Sequence, residues 1–439
     1  MPNQQFSKGF YAADMAAALE APAENRAAAF NAVRLKSEGG MLPVNPRAGT
    51  LPPLEVVDDL PAFPADDSAT TAAELIQIAM ATAWLADVPL RDLRATIQAA
   101  GNPLEGLEVE LGAPVRPAAA FRLEDQGENK TPMISQLLLR SFEAGSLAID
   151  LRHRLDLGYY GYRPEALSAL LNGKPIESQV TSPRTHYIHT LRALASCMRQ
   201  DPPYLYGLLA ACMLDALGVR RSSLFPALPK EAGFVHYGGQ LDAQCLLVQA
   251  VRQAMSMTAW MQKWEQGQEQ RARPEELMAH PERLHPLWAE RGAPLLARRG
   301  LGPHLPLLSA KGSPIHPSYV SGHAVIGGAV ATVLNAVYRD GPWPVAMVQA
   351  DPLGLELVAA NATAPTIHQE TRKLGENYGM GRVVGGLHYL SDVREGLLLG
   401  QRVAEQVLRG AKVNAKVLEL EEWGSTTFEG YFGTTVSIP

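Results

Sequence analysis

From Thr71 onward the apolar residues of this chain recur at the spacing of a helix face, and almost nowhere with the alternation of a strand. Glu74, Leu75, Ile78, Ala79 and Thr82 keep a 3.6-residue period until Pro89 ends the run. Residues 133–142, 187–217, 241–264 and 355–380 read as further helices, and 324–338 and 392–408 complete the set. Strand signals are confined to short pieces, the clearest at 416–420. The alanine-rich first 30 residues suit a helix start, and residues 39–67 then hold six prolines (Pro43, Pro46, Pro52, Pro53, Pro61 and Pro64). Proline lacks a donor and fixes φ, so that stretch reads as extended chain draped over something else. The expected fold class is all-α: helical bundles, as two four-helix-bundle-like halves, with proline-rich connecting loops and few short strands. Residues 1–70 are expected to form an N-terminal helix and extended arm, and 71–439 a single large helical domain that carries the chemistry.

Charge removes several classes of partner. Lys and Arg number 39 against 45 Asp and Glu, a formal charge of −6, so no bulk cationic surface invites nucleic acid or an anionic membrane. Any anion site must be a local concentration of cations against an acidic background. Cys197, Cys212 and Cys245 are too few for a disulfide scaffold, lack metal-ligand spacing, and sit in apolar helical text that predicts buried, inert thiols. Residues 1–19 lack the continuous apolar core of a secretory signal. No window reaches about 18 uninterrupted apolar residues, the best being 324–337, short and studded with glycine. A soluble, cytoplasmic protein is expected.

Three stretches carry the chemistry. The first is Ser313-Pro-Ile-His-Pro-Ser-Tyr-Val-Ser-Gly-His323, running straight into the helix at 324. Pro317 and Gly322 make a tight loop and Ser321 is a natural N-cap. A helix start presents free N–H groups and about half a positive charge, which suits an anion, with His323 on its rim. Alone, this is also the text of a capped helix with an incidental histidine. A Ser–His nucleophilic pair is disfavoured, because Ser321 and His323 are two residues apart and point to different sides of the turn. The second stretch is Gly381-Arg-Val-Val-Gly-Gly-Leu-His-Tyr-Leu-Ser-Asp392. Asp392 lies four residues beyond His388, one helical turn, where it can accept from one imidazole nitrogen and leave the other as nucleophile or ligand. A dinucleotide fingerprint at Gly379, Gly381 and Gly385 fails, since helical rather than strand text precedes it. The third runs from Lys263 to Pro274, where Lys263 and Arg273, or Arg271, offer two more cations; on its own, such a charge run is usually a solvated face. His280 and His285 form no HExxH pattern, and His304 and His368 read as surface or capped residues.

Jointly these stretches supply Lys, two Arg, a Ser-Gly helix start and two histidines, an inventory that matches a tetrahedral oxyanion. The pattern resembles the superfamily of the vanadium-dependent haloperoxidases and related acid phosphatases: Lys263, Arg273-Pro274, Pro317 to His323, then Arg382 with His388 six residues later. Further segments (74–89, 131–142, 234–240, 373–392 and 398–401) resemble the haloperoxidases of algae and bacteria, so the likeness covers most of 71–410. His316, seven residues before His323, matches the extra histidine of bromoperoxidases. Two departures stand out. The gap between Lys263 and Arg-Pro is about two residues longer than in the algal form, so that Arg271 matches the lysine spacing and Arg273 the proline, and Gln262 replaces an arginine found in some members. Arg273 is the favoured choice because the proline fixes the local turn.

The resemblance implies vanadate as cofactor, with phosphate able to replace it. His388 would be the ligand to the metal; Lys263, Arg273 and Arg382 would balance charge, and Ser321 and the Gly322 N–H would donate to oxygens. His323 would serve as general base toward hydrogen peroxide, with Lys263 polarising the bound peroxide and His316 acting on the halide side. The reaction implied is halide oxidation, bromide favoured and chloride possible, to hypohalous acid that halogenates a small organic acceptor. Two other readings use the same residues: an acid phosphatase with His388 as nucleophile, and a non-catalytic oxyanion-binding protein. A homodimer or larger homo-oligomer is expected, with the arm before Asp67 placed to wrap a neighbouring subunit.

Overall fold

The computed structural model describes residues 12–34, 60–101, 103, 133–171, 179–199, 204–225, 235, 238–255, 271–302, 304–310, 316–417 and 423–439. Helices dominate. α1 (Ala12–Glu20) and α2 (Ala23–Asn31) pack on each other through a small cluster of Met15, Ala18, Phe30 and Val33. α3 (Ala69–Ala79) opens on Ser68, whose Oγ accepts from the Thr71 N–H at 3.1 Å, and widens into a π-turn at Met80–Trp84. It is buried on every side from Thr71 to Ala79, so its Glu74 needs an interior partner. The remaining helices are α4 (Leu93–Ala100), α5 (Pro164–Leu171), α6 (Leu191–Cys197), α7 (Tyr204–Ala216), α8 (Gln240–Arg252), α9 (Pro274–Met278), α10 (Ala293–Arg298), α11 (Gly322–Val337), α12 (Ile367–Val383) and α13 (Leu390–Val417). The strands form four separate two-stranded antiparallel sheets: β1 (Phe142–Ala144) with β2 (Leu147–Ile149), β3 (His153–Asp156) with β4 (Thr181–His186), β5 (Val348–Ala350) with β6 (Leu357–Ala359), and β7 (Thr426–Glu429) with β8 (Thr435–Ile438). One apolar core runs from Ala72 to Ile438. Among the described residues no helix is long and apolar enough to cross a membrane.

Local chemistry moves several boundaries from where periodicity puts them. The helix expected over 355–380 starts only at Ile367. There Thr366 Oγ1 accepts from the Gln369 N–H at 3.2 Å and Gln369 Oε1 accepts from the Thr366 N–H at 2.8 Å, while residues before it form β6 and a loop. Over 133–142 the helical part is only the 3-10 turn Gln136–Leu138, with β1 starting at Phe142, because its polar groups are used across the core: the Gln136 N–H donates to Glu370 and the Ser135 N–H to Asn377. The stretch 187–217 is two helices, α6 and α7, with Pro202-Pro203 in the sequence between them. The strand expected at 416–420 begins inside the last turn of α13, its later residues lying outside those described; β7 and β8 follow instead. Of the thiols only Cys197 is buried, Cys212 is half-buried and Cys245 exposed.

α11, α12 and α13 place the site. Glycines let their backbones touch: a Cβ on Gly327 of α11 would stand 2.3 Å from the Gly375 carbonyl oxygen of α12, and one on Gly400 of α13 would stand 2.0 Å from the Val325 carbonyl oxygen. These contacts bring the start of α11, the end of α12 and the start of α13 to one place.

Candidate oxyanion site

Ser321 is the N-cap residue of α11, in extended backbone, and its own N–H donates to the Asp392 carbonyl oxygen at 3.0 Å. Its side chain does not cap. Ser321 Oγ is buried and has no hydrogen-bond partner among the described residues, so the expected position holds and the expected local bond does not. Gly322 opens the helix, and a Cβ there would press on Met255 at 3.1 Å. His323 follows in the first turn. Its ring hydrogen-bonds the Met198 carbonyl just beyond α6, and its Nε2 is buried with no partner among the described residues. Burial, reinforced by the charges of Arg382, His388 and Arg199, pushes His323 well below the usual imidazole pKa, so the ring is neutral. With the carbonyl taking the ring's one proton, the Nε2 lone pair is the open position.

Arg382 sits 4 % exposed in the last turn of α12, where a cation also complements the helix dipole. The helix stops in a Schellman turn. The Leu387 N–H donates to the Arg382 carbonyl and the Gly386 N–H to the Val383 carbonyl, each at 3.0 Å, with Gly386 at φ 84° as this turn demands. Two residues later comes His388, 1 % exposed. Its Nδ1 lies 3.3 Å from Asp392 Oδ2 and 3.4 Å from Ser318 Oγ. A carboxylate only accepts, so Nδ1 carries the proton and the Nε2 lone pair faces away from Asp392. Asp392 Oδ2 also accepts from Ser318 Oγ at 2.5 Å and from the Tyr389 N–H at 3.0 Å. Burial alone would raise Asp392, but Arg271's charge and the hydrogen bonds from His388 and Ser318 hold its carboxyl well below the usual carboxylate range.

His316, 8 % exposed, stacks on His388 with ring centroids 6.1 Å apart and planes at 22°. Its Nδ1 donates to the Pro317 carbonyl at 2.8 Å, and its own carbonyl accepts from Arg273 Nη1 at 3.2 Å. Arg273 is 1 % exposed and is held by the two glutamates that follow its proline: Nε stands 3.4 Å from Glu275, and Nη2 meets Glu276. Arg271 is fully buried in another direction. Its guanidinium bonds Glu74 at 2.7 Å and Asp392 at 2.8 Å and lies 3.7 Å over the Tyr389 ring. Both arginines are thus held by two carboxylates: Arg271 stands behind His388 through Asp392, and Arg273 adjoins the His316 carbonyl. Lys263 lies outside the described residues; Met255 and Arg271, the described residues flanking its stretch, both border the site. Of the other histidines, His368 is buried, not on the surface, and bonds the Tyr338 carbonyl at 2.8 Å.

A vanadium-dependent bromoperoxidase of Ascophyllum nodosum is 30 % identical to this chain over 405 residues, covering 82 % of this chain and 70 % of that protein. The chain belongs to the vanadium-dependent haloperoxidase family. The family model described as the VCPO second helical-bundle domain matches residues 245–415, which contain every motif residue named above. A vanadium-dependent bromoperoxidase of Corallina pilulifera is 37 % identical over 142 residues, 30 % of this chain and 22 % of that one. In fold, the chain superposes on the homohexameric structure of the second vanadate-dependent bromoperoxidase from A. nodosum with a TM-score of 0.72, covering 100 % of this chain and 83 % of that one at 18 % identity.

The candidate site of this haloperoxidase has contributors that pattern alone does not single out. Ser318 lies inside the first motif, but its bond to Asp392 depends on a partner 74 residues away. Arg199 and the Met198 carbonyl reach His323 from the end of α6, in text without any motif. Among the described residues no group of three or more His, Cys, Asp or Glu converges as a metal cage. The donors instead suit an anionic metal oxide, which brings its own oxygen ligands.

Proposed function

We propose that this vanadium-dependent haloperoxidase oxidises halide, bromide in preference to chloride, with hydrogen peroxide, releasing hypohalous acid that halogenates small organic acceptors. The observation that carries the reading is the pair of buried atoms at the start of α11, Ser321 Oγ and His323 Nε2, which have no hydrogen-bond partner among the described residues, on a helix start where the His323 ring feels the charges of Arg382 and of His388, an imidazole whose tautomer is fixed. Buried polar atoms are rarely left without partners, so two at one helix start call for a ligand that accepts from one and shares a proton with the other. Vanadate fits this donor set. His388 would hold it through Nε2, Ser321 Oγ and the Gly322 N–H would donate to its oxygens, and Lys263, Arg273 and Arg382 would balance its charge. Bound vanadate supplies a Lewis acid of constant oxidation state that makes peroxide electrophilic.

The protein's own part is positional and electrostatic. Neutral His323 presents a lone pair at Nε2 and takes the proton that peroxide gives up on binding, while its other nitrogen stays anchored to the Met198 carbonyl. Asp392 keeps His388 in the tautomer a ligand nitrogen requires. His316, stacked beside His388, faces the halide side. The A. nodosum structure is that of a homohexamer, which supports a homo-oligomer here as well.

The deciding experiment loads the cofactor-free protein with vanadate, measures bound vanadium, and assays bromide plus peroxide and, separately, a phosphate ester. Peroxide-dependent bromination only in the loaded protein is expected. Ester hydrolysis without bromination would instead identify a phosphatase, and vanadate binding with neither turnover an oxyanion-binding protein.

A further inference from the structure

Behind His388 lies a buried chain of charges that the reaction does not touch. Arg271 donates from Nη1 to Asp392 Oδ1 at 2.8 Å and from Nη2 to Glu74 Oε2 at 2.7 Å. Ser391 closes the ring: its N–H donates to Glu74 Oε1 at 2.7 Å, its Oγ donates to Glu74 Oε2 at 3.1 Å, and the same Oγ accepts from Arg271 Nη1 at 2.6 Å. Arg271 and Asp392 are fully buried and Glu74 is 5 % exposed. Glu74 comes from α3, whose helix is buried all round, so a carboxylate at this position is costly without a task.

We propose that Glu74 is a positioning residue for the haloperoxidase reaction, acting through Arg271 and Asp392 to fix and enrich the His388 imidazole. The inference rests on His388 being the group that holds vanadate. Two carboxylates share one guanidinium, which leaves one net negative charge in the cluster. Asp66, a further acid that Arg271's charge reaches, is answered by Arg283. Without Glu74, Arg271 and Asp392 would cancel, and the His388 Nδ1–H would face a neutral pair. A carboxylate in front of the Nδ1–H makes the opposite nitrogen a better ligand, and loss of such outer partners typically costs about 10- to 100-fold in metal affinity. Arg271 is also fixed in place by the ring of Tyr389, the neighbour of His388, beneath its guanidinium. Its two carboxylates and this ring leave it one orientation, which is transmitted to Asp392.

The test uses the full-length, cofactor-free protein and variants Glu74→Gln, Glu74→Asp and Ser391→Ala. Vanadate binding is measured by equilibrium dialysis, and the His388 tautomer by imidazole nitrogen NMR without vanadate. For Glu74→Gln the expectation is a vanadate Kd raised at least tenfold and a second His388 tautomer, while Glu74→Asp, which keeps the charge, stays within about threefold of the unaltered protein. Should Glu74→Gln not fold, Ser391→Ala, which removes one oxygen and loosens both ends of Arg271, carries the test: its Kd rises at least threefold. Unchanged affinity and tautomer in Glu74→Gln, or in Ser391→Ala if it alone folds, overturns the proposal, as does Glu74→Asp binding as poorly as Glu74→Gln. Failure of the unaltered protein to bind vanadate would instead overturn the assignment of His388, a result distinguishable from the first.

Discussion

Asp392 Oδ2 lies 3.3 Å from His388 Nδ1 and also 3.0 Å from the Tyr389 N–H, at the residue just before α13 begins. One oxygen therefore serves a helix start and an imidazole. As the third residue of α13, Asp392 reaches back to an N–H that the helix start leaves without an intrahelical partner, and from that position it takes the imidazole proton. His388 cannot turn its tautomer without disturbing the cap of a 28-residue helix. The Ser321 N–H, bonded to the Asp392 backbone carbonyl, ties the start of α11 to the same turn. Site geometry is thus carried by helix termini and the bonds that finish them.

Replacing either imidazole separates binding from chemistry. His388→Ala is expected to lose vanadate binding and with it bromide oxidation. His323→Ala is expected to keep measurable vanadate binding through His388 while kcat falls by about 10²- to 10⁴-fold, the usual range for a general base. Paired dialysis and bromination assays on the two variants check this; full bromination by either sinks the roles given to them.

The helices and the two histidine motifs were legible because each is local: period, glycine and cap lie within a dozen residues. The Asp392–His388 bond was legible for the same reason, since four residues make one helical turn. Long-range pairing was not. Arg271 and Arg273 are both basic, two apart and before the same helix, and only the partners distinguish them: Glu74 and Asp392 for one, Glu275, Glu276 and the His316 carbonyl for the other. Where periodicity overcalled helix, at 133–142 and 355–366, backbone groups had been claimed by side chains from elsewhere, Glu370 and Asn377, or by an N-cap at Thr366. Ser321 shows the converse. Its sequence context fits a capping serine, yet its hydroxyl makes no cap bond and has no hydrogen-bond partner among the described residues.

Close helix contact behind the site is predicted to be intolerant. Gly400→Ala puts a methyl group 2.0 Å from the Val325 carbonyl and 2.8 Å from the Ala329 N–H, so α11 and α13 must part. The expected cost is about 3 kcal/mol, at the upper end for overpacking, with weaker vanadate binding because His323 rides on α11. Gly410→Ala on the same helix meets nothing within 4 Å and should gain about 0.5–1 kcal/mol. Thermal melts of the two variants compare them directly; similar losses in both would contradict the clamp.

Acid sensitivity is expected from His153. Burial pushes it down to about 4 from 6.5, between Cys197 Sγ at 3.4 Å and the Tyr206 hydroxyl at 3.5 Å. As pH falls from about 6.5 toward 4 the unfolded chain takes up a proton that the native ring refuses. Stability is therefore lost in that window and levels off below it. Discounted for partial exposure of the ring, the loss is on the order of 1–2 kcal/mol at pH 5. His153→Gln should show a correspondingly smaller drop in urea-unfolding free energy between pH 7 and pH 5; equal drops would show that the ring does not titrate this way.

His316 tests the halide side independently of the cofactor. Its ring stacks on His388 at 6.1 Å and is anchored by the Pro317 carbonyl, so it adjoins the imidazole that would hold vanadate without taking that position. With Nδ1 held by the Pro317 carbonyl, Nε2 is the ring nitrogen that would donate to an approaching anion when protonated. His316→Ala is expected to retain vanadate, change KM for bromide and chloride unequally by about tenfold or more, the scale of one charge-assisted hydrogen bond, and leave peroxide dependence nearly unaltered. Steady-state kinetics with each halide at fixed peroxide give the answer. Identical halide ratios in variant and unaltered protein would remove His316 from halide selection, and loss of vanadate would make it part of the cofactor's support instead.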